Sequence, residues 1–189
     1  RFHTVEYVET LKDASSNRTT GGLSYGIGPG DNPVFPGLWE WSQLHTGASL
    51  QCAELVSDGE IDIAFNIAGG LHHAGSAKAS GFCYLNDLVL ACMRFSNNGK
   101  RVLYLDLDAH HGDGVQEAFY SSNKVMVISL HESGKTMWPG TGYEDEIGDC
   151  SGKGFNINIP LPLGICDEVY LEVFQKFVIP LINAYFPDI

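Results

Sequence analysis

Long apolar runs are missing from this sequence. No stretch of its 189 residues reaches the ~18 uninterrupted apolar positions that a membrane span needs. The opening Arg1-Phe2-His3-Thr4 has no apolar run behind a basic end, so it does not read as a signal peptide. It does not begin with Met, as expected of a cut-out or processed piece. Basic residues are scarce: 11 Lys and Arg stand against 23 Asp and Glu, a formal net charge of −12. That sign speaks against direct nucleic-acid binding. It keeps a chain soluble and attracts cationic partners such as basic peptides and polyamines. The five cysteines, Cys52, Cys83, Cys92, Cys150 and Cys166, form no C-x-x-C pair, which fits reduced thiols in a cytosolic protein. With no secretion or membrane signal, the expected location is cytoplasmic, or nuclear in a eukaryote. Repeats and low-complexity tracts are absent too.

What is present is a globular composition, 44% hydrophobic and 18% charged, with enough length for one domain. Short β-branched runs at Ile61–Ile67, Val102–Leu107, Val125–Leu130 and Phe155–Ile159 read as buried strands. Between them lie helical patterns. Ser42–Val56 places Leu44, Ala48, Cys52, Leu55 and Val56 on one face, and Leu85–Phe95 does the same with Leu85, Leu88, Val89, Cys92 and Phe95. Asp167 can cap a helix running to about Tyr185, which Pro180 should kink or split. Strands alternating with helices predict an α/β domain, a mostly parallel sheet flanked by helices, with ligands beyond the carboxyl ends of the strands. The Gly/Pro-rich stretch Thr19–Gly37 is a linker or a functional surface loop; Phe35, Leu38, Trp39 and Trp41 favour a packed loop.

Two stretches and two loops carry candidate chemistry. In Leu103–Gly114 a hydrophobic strand runs into three aspartates and two histidines. If the backbone stays extended, Asp106, Asp108 and His110 point to one side, so Asp108 and His110 could grip a metal ion while Asp106 orients a neighbour from behind. A solvated, inert Asp/Gly turn is the alternative. In Asn66–Ala74 a strand end and two glycines lead into His72 and His73, a general base with an electrostatic helper or simply two loop histidines. Asp106 and Asp113 are spare carboxylates, each able to take one imidazole N–H. Phe82 and Trp138 stand on loops, as walls of a narrow channel or as ordinary core residues.

Together, AGGLHHA (68–74), SGFCYLND (80–87), VLYLDLDAHHGDGV (102–115), ISLHESG (128–134) and PGTG (139–142) resemble the zinc-dependent deacetylases, meaning the histone deacetylases and the bacterial acetoin-utilisation deacetylases. The opening FHTVEYVETL resembles the family's early helix. The resemblance implies an arginase–deacetylase fold and hydrolysis of an acetyl-lysine amide. It implies that Asp108 and His110 are two of three ligands for zinc or iron(II), and that His72 and His73 are the active-site pair, with Asp106 and Asp113 as their respective carboxylates. It makes Phe82 and Trp138 the tunnel walls, with Trp in place of the usual Phe at the second, Gly81 a tunnel-lining position and Asp31 a rim carboxylate. It also implies structural K+ or Na+ at two places: Asp106, Asp108, His110, Ser129 and Leu130, and Phe119, Ser122, Val125 and Phe155. The family's third metal ligand, an Asp, and its oxyanion-stabilising Tyr have no match here. Residues 1–189 are therefore expected to be the central portion of a single deacetylase domain, lacking the first strand and the C-terminal part, and inactive alone. The other readings are an acetylpolyamine amidohydrolase, a non-catalytic acyl-lysine-binding module, or a fragment completed by a partner. Oligomeric state is not legible.

Overall fold

The computed structural model describes residues 1–17, 22–28 and 30–189. Residues 19–21 and Pro29 of the Gly/Pro-rich stretch lie outside the described residues. The chain divides into two compact units, Arg1–Arg94 and Phe95–Ile189.

The first unit contains α1 (Val5–Asn17), α2 (Leu38–Ser57) and most of α3 (Asp87–Asn97). Helix α1 buries Tyr7, Leu11 and Ala14, spaced four and three apart on one stripe, against Ile27, Leu38, Ala79, Tyr84 and Leu85. Complete burial of Leu11 is worth about 2 kcal/mol. Tyr7 is also fully buried, and its hydroxyl donates to the Tyr84 carbonyl at 2.6 Å, so no polar atom is stranded there. Val34, Phe35 and Trp39 pack against this core, so the end of the Gly/Pro stretch is a packed loop.

Two expectations fail in this unit. Helix α2 does not bury the Leu44, Ala48, Cys52, Leu55 and Val56 stripe. Its buried side is Leu38, Ser42, His45, Thr46, Ser49 and Ala53, and Leu44 is 70% exposed. The reason is a polar one: Ser49 donates to the buried Asp87 carboxylate, and Asn66 donates to both Ser49 and the His45 carbonyl. That network, not an apolar stripe, seats the helix. Ile61–Ile67 is not a strand. The segment lacks ladder pairing among the described residues, and Ile63, Phe65 and Ile67 are exposed by 86%, 84% and 88%. A period-two pattern gives a segment one apolar face but cannot provide it with a neighbouring strand.

Helix α3 follows its predicted face more closely, with Leu85 just before it and Val89 and Cys92 within it buried. It starts at Asp87, two residues later than the periodicity suggests.

In the second unit, three parallel strands lie in the order β1 (Val102–Asp106), β2 (Val125–Glu132), β3 (Asn156–Leu161), with Asp106 opposite Ser129 and Leu130 opposite Ile159. Central β2 is buried along almost its whole length, while β1 alternates, as edge and centre should differ. Strand β3 begins one residue later and ends two later than predicted. It turns Asn156 and Asn158 inward on one side and Ile157 and Ile159 towards the helices on the other. Helix α4 (Asp113–Phe119) joins β1 to β2. After β3 come α5 (Asp167–Val173), one π-helical turn (Phe174–Val178) and α6 (Ile179–Tyr185). Tyr170, Phe174, Val178, Leu181, Ile182 and Tyr185 carry one apolar stripe through that turn onto Met126, Ile128 and Leu130. Pro180, which has no N–H to donate, stands just after that π-helical turn, so the predicted helix is interrupted at this place. The N-cap of α5 is Cys166, without a side-chain cap bond, and Asp167 is the first helical residue, so the predicted cap is corrected. Among the described residues no helix is long and apolar enough to cross a membrane.

Candidate metal and acid–base site

In the first unit, His72 and His73 follow a turn that the glycines make sterically possible. A Cβ on Gly69 would lie 2.5 Å from Asp87 Oδ2 and 2.9 Å from Ser49 Oγ, and Gly70 has φ +97°. Asp87 is the organiser: its carboxylate accepts the Gly70 N–H at 3.2 Å and the Leu71 N–H at 2.9 Å, together with the Ser49 hydroxyl. Asn86 donates to the His72 and Ala74 carbonyls, at 3.3 and 3.0 Å, and so fixes the chain on both sides of the pair. The two imidazoles are 94% buried, with ring centroids 4.0 Å apart at 49°. Sequence reasoning places His72 and His73 but misses the polar residues that hold their turn, Ser49, Asn66, Asn86 and Asp87.

Asp31, Gly81 and Phe82 come together in the same unit. Ser80 and Cys83 exchange backbone bonds of 3.0 and 2.8 Å, and the two residues between them, Gly81 and Phe82, have φ +50° and +66°. These are the signs of a type I′ turn, which rarely holds a bulky residue. The turn presents Phe82 to solvent, 71% exposed, so the core reading fails for it. Asp31, also exposed, sits on a loop tied to this turn: Asn32 Nδ2 donates to the Cys83 carbonyl at 3.2 Å, and the Tyr84 hydroxyl donates to the Pro33 carbonyl.

In the second unit, β1 ends at Asp106 and the chain bends, so simple strand alternation does not align Asp106, Asp108 and His110. Two successive side-chain turns do so instead. Asp106 Oδ1 accepts the Asp108 N–H at 3.1 Å, and Asp108 Oδ1 accepts the His110 N–H at 2.7 Å. Asp106 is buried, and its other oxygen takes the Tyr104 hydroxyl at 2.6 Å. The Glu132 N–H donates to the Ala109 carbonyl at 2.9 Å, fastening the bend to the end of β2. Asp108 and His110 are half-exposed, and Asp108 Oδ1 lies 3.0 Å from His110 Nδ1. Two ligands each ~2.0–2.2 Å from one metal would be about 3 Å apart, so this oxygen–nitrogen pair fits two positions of a zinc or iron(II) site. Among the described residues no group of three or more such side chains meets at one point. The Trp138 ring, on a 47% exposed side chain, stands edge-on to His110 with centroids 6.2 Å apart. A cavity of about 230 Å³ opens at these strand ends between Leu107, Asp108, Leu130, His131 and Tyr170. A larger groove of about 720 Å³ along β3 is lined by Ile157, Ile159, Leu161 and Phe177 and touches none of these groups.

Asp113 is the half-buried first residue of α4. Ser129 and Leu130, in the buried middle of β2, adjoin Asp106 through the strand register. Phe119, Ser122 and Val125 follow one another from the end of α4 to the start of β2: the Phe119 carbonyl accepts the Ser122 N–H, and the Phe155 carbonyl accepts the Val127 N–H. Sequence reasoning also misses two neighbours of the bend. His111 and His131 are 99% buried, with ring centroids 4.8 Å apart. Burial pushes His111 down to about 4 and lowers His131 as well, so both are neutral at pH 7. Burial opposes the charge of nearby Glu146, yet bonds from Tyr143, Gln116 and Gly142 hold its carboxyl below the usual range.

The whole chain, residues 1–189, matches the family profile described as the Histone deacetylase domain. It is 43% identical over 192 residues to Histone deacetylase B of Dictyostelium discoideum, spanning 100% of this chain and 45% of that protein. It is 44% identical over 191 residues to Histone deacetylase 3 of Oryza sativa subsp. japonica, spanning 99% and 37%. The crystal structure of an HDAC homolog from Aquifex aeolicus superposes with a TM-score of 0.92 at 41% identity, over 100% of this chain and 51% of that one. An HDAC homolog complexed with SAHA superposes with a TM-score of 0.90 at 41% identity, covering 97% and 50%. The chain thus spans less than half the length of these curated relatives.

Proposed function

This chain belongs to the histone deacetylase family, with the arginase–deacetylase fold, and from that premise we propose that it carries part of the machinery for metal-dependent hydrolysis of the acetyl amide of acetyl-lysine. The observation that supports this most directly is the oxygen–nitrogen pair of Asp108 and His110, 3.0 Å apart at the carboxyl end of a parallel strand with an aromatic ring beside it. Asp108 and His110 are the residues that would hold zinc or iron(II). A metal bound there supplies Lewis-acid polarisation of the amide carbonyl and lowers the pKa of a bound water.

The remaining roles belong to the chain's own side chains. His72 and His73 move the proton, one imidazole accepting it from the attacking water and returning it to the leaving amine. Asp106 and Asp113 are the carboxylates that fix imidazole tautomers. Phe82 and Trp138 are apolar walls for the acyl-lysine side chain, Gly81 leaves that wall open to backbone approach, and Asp31 receives substrate N–H groups at the rim. Structural K+ or Na+ would be held at Asp106, Asp108, His110, Ser129 and Leu130 and at Phe119, Ser122, Val125 and Phe155. Free cysteines support a reducing compartment, cytoplasmic or nuclear. The net charge of −12 keeps one rival substrate class in play, the acetylated polyamines, which are cationic.

The test uses the full-length protein with an acetyl-lysine peptide and an acetylated polyamine side by side. Turnover of the peptide that a chelator abolishes, and that falls about a hundredfold or more in Asp108→Ala, is the expected result. Chelator-resistant turnover, or an unchanged Asp108→Ala rate, would overturn the reading. Preference for the polyamine would reassign the substrate, and tight peptide binding without turnover would make this a binding module.

A further inference from the structure

The loop that carries Trp138 is held from outside by a buried polar network that the proposed chemistry does not use. Gly142 is its anchor. The Gly142 carbonyl accepts from His131 Nε2 at 2.9 Å, and its N–H donates to both Glu146 carboxylate oxygens at 3.1 Å. Glu146 also takes the Tyr143 N–H at 3.1 Å. No side chain fits at Gly142: with φ +82°, a Cβ would lie 2.4 Å from His131 Nε2 and 2.6 Å from His111 Cγ. The loop backbone therefore rests directly on two imidazoles.

The acceptors fix the protons. A carbonyl oxygen only accepts, so His131 carries its proton on Nε2, and its Nδ1 receives the Ser129 hydroxyl at 2.8 Å. His111 Nε2 donates to Gln116 Oε1 at 3.1 Å, which leaves Nδ1 to accept the Thr141 hydroxyl at 2.8 Å. Gln116 closes the circuit by donating to Glu146, while its oxygen takes Asn156 and Asn158 from β3, each at 2.7 Å. Three elements, α4, β2 and β3, are thereby locked to residues 141–143. Four residues upstream of Gly142, on the same loop, Trp138 meets the His110 ring.

We infer that His111, His131, Gln116 and Glu146 are positioning residues: they seat the 139–142 loop and so set the Trp138 ring against His110, which fixes how large an acyl group the site admits. This inference rests on the deacetylase reading for its catalytic half only. Its structural half concerns side-chain placement and is measurable without turnover.

The experiment pairs His131→Leu, which removes the Nε2 donor, with His131→Gln, which can restore a donor near the same place. In the full-length protein, NMR cross-relaxation between the Trp138 indole and the His110 ring is expected in the wild type and in His131→Gln, and to be lost in His131→Leu. In the full-length enzyme, His131→Leu is expected to raise KM for an acetyl-lysine peptide about tenfold, with kcat within about threefold, and to shift the acetyl-to-butyryl preference; His131→Gln should restore both. Thr141→Val, which deletes one surface-side hydroxyl, gives the same changes in weaker form and serves if His131→Leu does not fold. Cross-peaks that persist in both His131→Leu and Thr141→Val, or kcat losses equal for every acyl chain, overturn the inference. A wild type without deacetylase activity overturns the functional reading instead, and the NMR result then decides the structural half alone.

Discussion

At the residue scale, Phe82 is the clearest case of a side chain held against its own backbone preference. A bulky residue at φ +66° costs about 1–2 kcal/mol relative to one that tolerates the left-handed region, and 71% exposure returns little packing in exchange. Phe82→Asn should therefore raise stability by about 1 kcal/mol, read as a higher urea midpoint at unchanged slope. If Phe82 is a substrate wall, the same variant should raise KM for an acetyl-lysine peptide in the full-length protein. Stability and binding moving in opposite directions is the signature of a functional constraint; a stability loss would mean that the ring is a packing residue after all.

Asp87 shows the limit of residue-by-residue reading. Its partners Ser49, Gly70 and Leu71 lie 38, 17 and 16 positions away, so nothing local marks it as the residue that shapes the turn before His72. Asp106 and Asp108 are different. The bonds that Asp106 accepts from Tyr104 and Asp108, and that Asp108 accepts from His110, each span two residues, and the D-x-D-x-H spacing brings oxygen and nitrogen donors together.

At the scale of elements, β1, β2 and β3 are legible to within one or two residues, because buried parallel strands are written as short β-branched runs. Helix faces are less so. The stripe on α2 is misread because the side that packs is polar and satisfied by hydrogen bonds, which apolar periodicity does not register. Ile61–Ile67 has the right pattern for a strand, but pairing is a property of two segments and only one is visible in a run of residues.

The connection between α1 and α3 has a pH consequence. His3, 94% buried, accepts the Asn86 N–H on Nε2 at 3.0 Å, and its Nδ1 lies near the Ser76 and Gly75 carbonyls without a well-aligned bond. Burial lowers it from 6.5 to about 4. A depressed folded-state value means that the unfolded chain takes up the proton first. Stability from this site is complete above pH 6.5 and is lost as pH falls towards 4, by up to about 3 kcal/mol. His3→Gln removes that dependence. The stability difference between wild type and variant, followed by urea denaturation, should be flat above pH 6.5 and shrink steadily below it.

At the scale of the whole molecule, the apolar side chains of Ile63, Phe65, Ile67 and Leu44 are at least 70% exposed, a concentration that soluble surfaces seldom leave uncovered. The 189-residue chain in isolation should bind a hydrophobic dye and sediment heterogeneously. A triple variant with Ile63, Phe65 and Ile67 changed to Thr should lose most of the dye signal. Unchanged dye binding would locate the sticky surface elsewhere, with the groove along β3 as the next candidate.

The closeness of Asp108 and His110 in sequence has a thermodynamic side. A metal raises the melting temperature only through its preference for the folded chain over the unfolded one. A site gathered from distant segments vanishes on unfolding, but these two donors are two residues apart and stay within reach of each other in a random coil. Part of whatever affinity they confer therefore survives denaturation. Metal captured at this bend is, in that sense, cargo that the disordered polypeptide can go on carrying, and a poor thermal anchor for the fold around it.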